Sequence, residues 1–184
     1  MGQARRAEPA RLVIGGLSGF PEAWAGARRE LEKLFGPADI EAGPLPFDFT
    51  DYYTAEMGGA LQRWLLSFPR LVEQHGIGDF KASTNRIEAE LAAARRWPAA
   101  RPVNLDPGYV TLGKLVLAST KDQAHRIAVS PEIYAEVTLR FVGGRFVSCD
   151  WTYADYRQES YLEFFGRVRE ALRAELRRGT GRGG

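Results

Sequence analysis

Residues 104–139, NLDPGYVTLGKLVLASTKDQAHRIAVSPEIYAEVTL, decide how the second half of this chain is laid out. Apolar runs over residues 113–119, 125–129 and 134–142 read as strands, and Asp106-Pro107-Gly108 reads as a turn ahead of them. Short connections make such strands antiparallel neighbours. A further run, 145–152, follows Gly143-Gly144, a pair suited to a two-residue hairpin. Between the first two runs, TKDQAHR (Thr120–Arg126) carries Lys121, Asp122, His125 and Arg126. A plain hairpin needs no such charges, because Asn-Gly would turn it. The sequence therefore predicts one wall of a site for an anionic ligand.

Upstream, RLVIGG (Arg11–Gly16) reads as a short buried strand. Pro21 suits a first helical turn, and Trp24, Ala27, Leu31, Leu34 and Phe35 recur at helical spacing before Gly36-Pro37. A second strand is predicted over 38–42 and a third over 60–68. The third also has helical spacing, which Pro69 would cut short, so a strand is preferred. Ile77, Phe80, Thr84, Ile87 and Leu91 predict a helix over 78–96, stopped by Pro98, with a fourth strand over 103–106. This order gives an α+β fold with a ferredoxin-like βαββαβ core. Strands 12–16 and 103–106 should then be antiparallel neighbours, with both helices on one face. An antiparallel hairpin extension follows, and then a C-terminal helix over 159–178, with Ser160 and Glu163 at capping-box spacing. The expectation is one domain, residues 11–178, between a disordered leader, 1–10, and a disordered tail, 179–184.

Composition narrows the classes. The chain has 184 residues, 45% hydrophobic and 26% charged, as an ordinary soluble domain would. A net charge of +2 implies neither nucleic-acid nor membrane binding by bulk electrostatics. One cysteine, Cys149, rules out an internal disulfide and a Cys-based zinc site. No run approaches the roughly 20 apolar residues of a membrane span, and no signal segment opens the chain, so a cytoplasmic protein is expected. The phosphate-loop, dinucleotide and nucleophile-elbow motifs are absent, and no strand carries the paired aromatics of RNA-binding ferredoxin-like domains.

Four polar clusters are candidates for chemistry, each with a plainer reading. In PFDFTDYY, Asp48 and Asp51 lie among Phe47, Phe49, Tyr52 and Tyr53; shielding would suit them to acid–base work or a metal, while turn capping explains them equally. Lys81, Asn85 and Glu88 share a stripe of one helix and could grip a polar ligand or simply face solvent. Asn104 and Asp106 share one face of a strand, although Asp106 before Pro107-Gly108 also forms a turn. In TKDQAHRI, Arg126 can fork onto a phosphate or carboxylate, Lys121 adds a point charge, and His125 is the acid–base candidate. Glu136 follows in IYAEVTL, and Asp155, in WTYADY, reads as a helix-entry residue.

Taken together, GPLPFDFTDYY, KASTNRIE, VNLDPGYV, STKDQAHRI, IYAEVTL and WTYADY resemble the bacterial, uncharacterised family catalogued as domain of unknown function 4416, over residues 11–175. The resemblance implies no activity, cofactor or catalytic residue. The functional expectation therefore rests on the residues. A small phosphate- or carboxylate-bearing ligand, nucleotide-like, would be held by Lys121 and Arg126 with Lys81, Asn85, Asn104, Asp48, Asp51 and Tyr52. His125, Asp106 and Glu136 are the catalytic candidates, and Asp48, Asp51, Asp106 and Glu136 could orient the cations or hold a divalent metal. The alternative is a non-catalytic module for a protein or RNA partner.

Overall fold

In the computed structural model, which describes residues 2–180, one antiparallel sheet of eight strands is packed between helices. In chain order the elements are β1 (Ala10–Ser18), α1 (Pro21–Phe35), β2 (Ile40–Pro46), α2 (Thr54–Met57), β3 (Gln62–Val72) and α3 (Ile77–Ala93). Then come β4 (Asn104–Val110), β5 (Lys114–Ser119), β6 (Ile127–Ser130), β7 (Ile133–Val142), β8 (Arg145–Ser148) and α4 (Glu159–Thr180). Residues 181–184 of the expected tail lie outside the described residues. None of the helices described is long and apolar enough to cross a membrane.

The strands run in the order β2-β3-β1-β4-β5-β7-β6, with β8 also on β7. β1 sits inside the sheet because both its faces are apolar. Leu12 and Ile14 point toward α1 and α3, where they meet Trp24, Leu31 and Ile87, while Val13 points toward Phe164 and Val168 of α4. Strands 12–16 and 103–106 are antiparallel neighbours, and α1 and α3 share one face, as the sequence predicts. Beyond β4 the sheet runs on without a break, so the strand order as a whole differs from that of a four-stranded ferredoxin-like sheet. At its outer end Arg11, fully buried, donates to Asp39 and Glu175 and ties β1 to the far end of α4.

Several boundaries depart from the sequence reading. β2 begins at Ile40 and runs to Pro46. β3 continues through Pro69 to Val72, with Pro69 lying opposite the irregularity between Arg11 and Val13, a bulge where no N–H is needed. α4 begins at Glu159, which places Ser160 inside the first turn rather than at the cap. The β7–β8 turn is the expected two-residue one, closing at Val142 and Arg145, but β8 stops at Ser148. β7 carries β5 along one side and β6 and β8 end to end along the other. In the gap between those two, the Val137 carbonyl accepts from Trp151 Nε1 at 2.9 Å and the Thr138 carbonyl from Thr152 Oγ1 at 2.5 Å.

The largest correction concerns Asp106-Pro107-Gly108, which lies inside β4 and makes no turn. The ladder between β4 and β5 covers only Gly108, Tyr109 and Val110; from Pro107 backward the two strands part. The peptide groups of Leu105 are instead met by α3. Its N–H donates to Glu88 Oε1 at 2.8 Å, and its carbonyl accepts from Lys81 Nζ at 2.7 Å. These groups face away from β1, so by strand alternation the Pro107 nitrogen faces the same open side, where no ladder needs it. Gly108 then lets the strands close again, since a Cβ there would lie 2.3 Å from the Val116 carbonyl oxygen. Gly108→Ala is expected to cost about 1–3 kcal/mol, as overpacked positions do, with the loss read by urea denaturation.

Candidate functional site

A cavity of about 430 Å³ occupies the wedge between the parted strands. Its β4 wall rests on buried ions. Arg63 follows the alternation of Leu65 to the α4 side of β3 and is 3% exposed. Its Nη1 donates to Asp106 Oδ2 at 2.8 Å and its Nη2 to Asp155 Oδ2 at 3.1 Å. Phe47 and Tyr156 flank the guanidinium. Gly15 leaves it room, because a Cβ there would come within 3.0 Å of the Tyr156 hydroxyl and 3.2 Å of Arg63 Nη1. Asn104 Nδ2 donates to the same Asp106 oxygen at 2.8 Å, and Arg101 bridges Asn104 Oδ1 to Glu88.

These contacts set the charge states. Burial opposes the charge of Asp106, but Arg63 and Lys81, with hydrogen bonds from Arg63 and Asn104, outweigh it and hold the carboxyl below its usual range. Asp155 shifts upward because burial dominates, Arg63 only partly offsetting it. Glu88 is also raised by burial, against the pull of Lys81 and Arg101.

The opposite wall comes from β5, β7 and the connection between β5 and β6. Arg126 is buried against Glu136, with Nε donating to Glu136 Oε2 at 2.7 Å. Its Nη1 donates to Ser119 Oγ at 3.0 Å and the Lys121 carbonyl at 2.8 Å, and its Nη2 to the Tyr153 hydroxyl. His125 Nε2 lies 3.0 Å from the same Glu136 oxygen, and its ring stacks on Trp151. Across the mouth, Phe49, Thr50, Tyr52 and Tyr53 line the cavity from the loop after β2. There Lys121 Nζ donates to the Tyr52 hydroxyl at 2.5 Å, joining two rims of the opening. Burial raises Tyr53 to about 12, with Asp106 adding, and raises Tyr153 as well, so both phenols stay protonated at neutral pH.

A family model described as Domain of unknown function (DUF4416) matches residues 8–172. The chain belongs to this family. Comparison with curated proteins and with solved structures gave no match. The matched region of the DUF4416 family includes every cavity-lining residue, from Phe47 to Tyr156.

Of the residues singled out from sequence, Lys121, Arg126, Lys81, Asn104, Asp106, Glu136 and Tyr52 line this one cavity. His125 does not; it supports Glu136 from behind. Asn85 is half-buried on α3 outside the lining, and Asp48 and Asp51 are exposed outside it, the aromatic side chains nearby leaving them unshielded. The Asp51 carbonyl accepts from Thr54 N–H, a turn contact. Among the described residues no group of three or more His, Cys, Asp or Glu is placed to hold a metal ion, so Asp48, Asp51, Asp106 and Glu136 do not converge as a cage. Asp155 is a buried partner of Arg63 rather than only a helix-entry residue. Sequence reading missed Arg63 and Arg101. The signal for Arg63 was its two-residue offset from Leu65, which puts a cation on an apolar face; Arg101 had none.

Removing Arg63 would leave two carboxylates in a buried place without their cation. Arg63→Met is expected to destabilise the fold by about 3–5 kcal/mol in chemical denaturation. Asp106, whose folded value is depressed, contributes stability above the usual carboxylate range, lost as pH falls through that folded value. In Arg63→Met the main cause of that depression is gone and burial opposes the Asp106 charge, so this acid-dependent loss should shrink or reverse, visible in melting temperature against pH.

Proposed function

We propose that the cavity binds a small ligand bearing a phosphate or carboxylate on a planar, nucleotide-like body. The observation that carries this reading is the lining itself. Arg63, Lys81, Arg101, Lys121 and Arg126 line it with Asp106, Glu136 and Asp155, and Glu88 behind the wall pairs with Lys81 and Arg101, which leaves Lys121 as the lining cation without a carboxylate among the described residues. A cation left uncompensated in a concave, partly dry site draws anions. The aromatic walls, Phe49, Tyr52, Tyr53 and Tyr153, suit a planar ring, and the volume falls within the usual range for small-molecule sites. Lys121 is the contact residue for the anion. Arg126 and Glu136, already engaged with each other, shape the wall. The reading gives His125 a supporting role, since it lies outside the lining.

The framework fits the same reading. The order β2-β3-β1-β4, with α1 and α3 on one face, supports treating residues 10–110 as a ferredoxin-like segment that β5–β8 and α4 extend. The extension supplies the second wall. A partner-binding reading draws support from the exposed rings of Tyr52 and Tyr153 at the cavity and of Trp151 outside its lining.

A thermal-shift panel of nucleotides, sugar phosphates and carboxylates separates the two. At least one anion is expected to raise the melting temperature, by the equivalent of about 2.7 kcal/mol at a hundredfold excess over Kd. Lys121→Met should erase the shift and leave the unliganded melting temperature near that of the parent. A flat response from every anion, with single-stranded RNA retarded in a gel, would replace this reading with the partner-binding one.

A further inference from the structure

Most of the charged atoms around the cavity are already committed. Arg63 is held by Asp106 and Asp155, Lys81 by Glu88 and the Leu105 carbonyl, Arg101 by Glu88 and Glu56, and Arg126 by Glu136. Lys121 differs. Among the described residues no carboxylate lies within 4.0 Å of it, and its partner is the neutral Tyr52 hydroxyl. An ammonium facing a phenol keeps its charge uncompensated, ready for an anion.

The carboxylates divide in the same way. Glu136 is 2% exposed at the side chain, with Oε2 accepting from Arg126 and His125 and Oε1 from Thr138. Asp155 is 5% exposed at the side chain and lies under Arg63. Asp106 has capacity left. Its Oδ2 accepts from both Arg63 and Asn104, no hydrogen bond from a described residue reaches Oδ1, and the side chain keeps 26% exposure. One free cation and one free carboxylate oxygen thus lie on opposite walls, Lys121 in the β5–β6 connection and Asp106 on β4.

We propose that the cavity reads its ligand in one direction, with the anionic group on Lys121 and a hydrogen-bond donor, amino or hydroxyl, on Asp106 Oδ1. This rests on the anion-binding reading above and narrows it. A ligand with anions at both ends would set one of them against an ionised Asp106, whereas a nucleoside monophosphate or an amino-bearing phosphate ester would satisfy both ends. The site therefore selects by the polarity of the ligand, beyond its total charge.

A matched series tests this: ω-aminoalkyl phosphates of graded chain length against ω-carboxyalkyl phosphates of the same lengths, titrated calorimetrically at neutral pH. The amine-ended series is expected to bind the parent protein about tenfold or more tightly at its best length. Asp106→Asn should reduce that preference to within about threefold, and Lys121→Met should weaken both series alike. Equal affinities for the two series in the parent protein, both lost in Lys121→Met, would overturn the directional proposal and leave the anion site standing. Failure of every phosphate to bind the parent protein would remove both. The comparison in the parent protein does not depend on whether the Asp106 variant folds.

Discussion

The buried guanidinium of Arg63 is the constraint on which the rest of the site depends. Taking a cation out of water costs several kcal/mol unless anions meet it with good geometry. Asp106 from β4 and Asp155 from the turn before α4 meet it, so three distant segments of chain are fixed around one charge. Asp106 is in turn oriented by Asn104, which is held by Arg101. The arrangement works through backbone as much as side chains, because Gly15 on the neighbouring strand leaves the space that Arg63 and Tyr156 fill.

The wedge depends on a second substitution of roles. Where β5 leaves β4, the freed peptide of Leu105 would be an unsatisfied buried amide, which is expensive. Glu88 and Lys81 take the place of the missing strand. A helix thereby holds open a sheet that would otherwise zip shut; Lys81 also helps keep Asp106 ionised, and Glu88 pairs with Arg101.

Sequence reading reached the TKDQAHRI wall because it asked why a connection should carry charges that its geometry does not need. It reached α1, α3 and α4 from apolar periodicity, and the β7–β8 hairpin from Gly143-Gly144. It misread Asp106-Pro107-Gly108 because those residue types form turns in isolation. Only the register against β1 and the loss of β5 make a strand proline harmless there. Asp48 and Asp51 looked shielded by their neighbours in sequence, but Phe47, Phe49 and Tyr53 pack on one another and leave both carboxylates outside. Arg63 and Asp155 lie far apart in the chain, and no local pattern announces a pairing that tertiary structure creates.

The hydrogen bonds from Trp151 and Thr152 to the Val137 and Thr138 carbonyls bear on how the molecule coexists with its own copies. A long open sheet invites edge-to-edge addition of another chain, the route to aggregation. Here the middle of β7 is stoppered by two side chains, and the two strands beyond it, β6 and β8, are only four residues long each. At the opposite edge β2 carries Pro44 and Pro46, which offer no N–H to an incoming strand. Among the described residues, an eight-stranded sheet is thus left with no extended run of free backbone at either margin on which a foreign strand could grow.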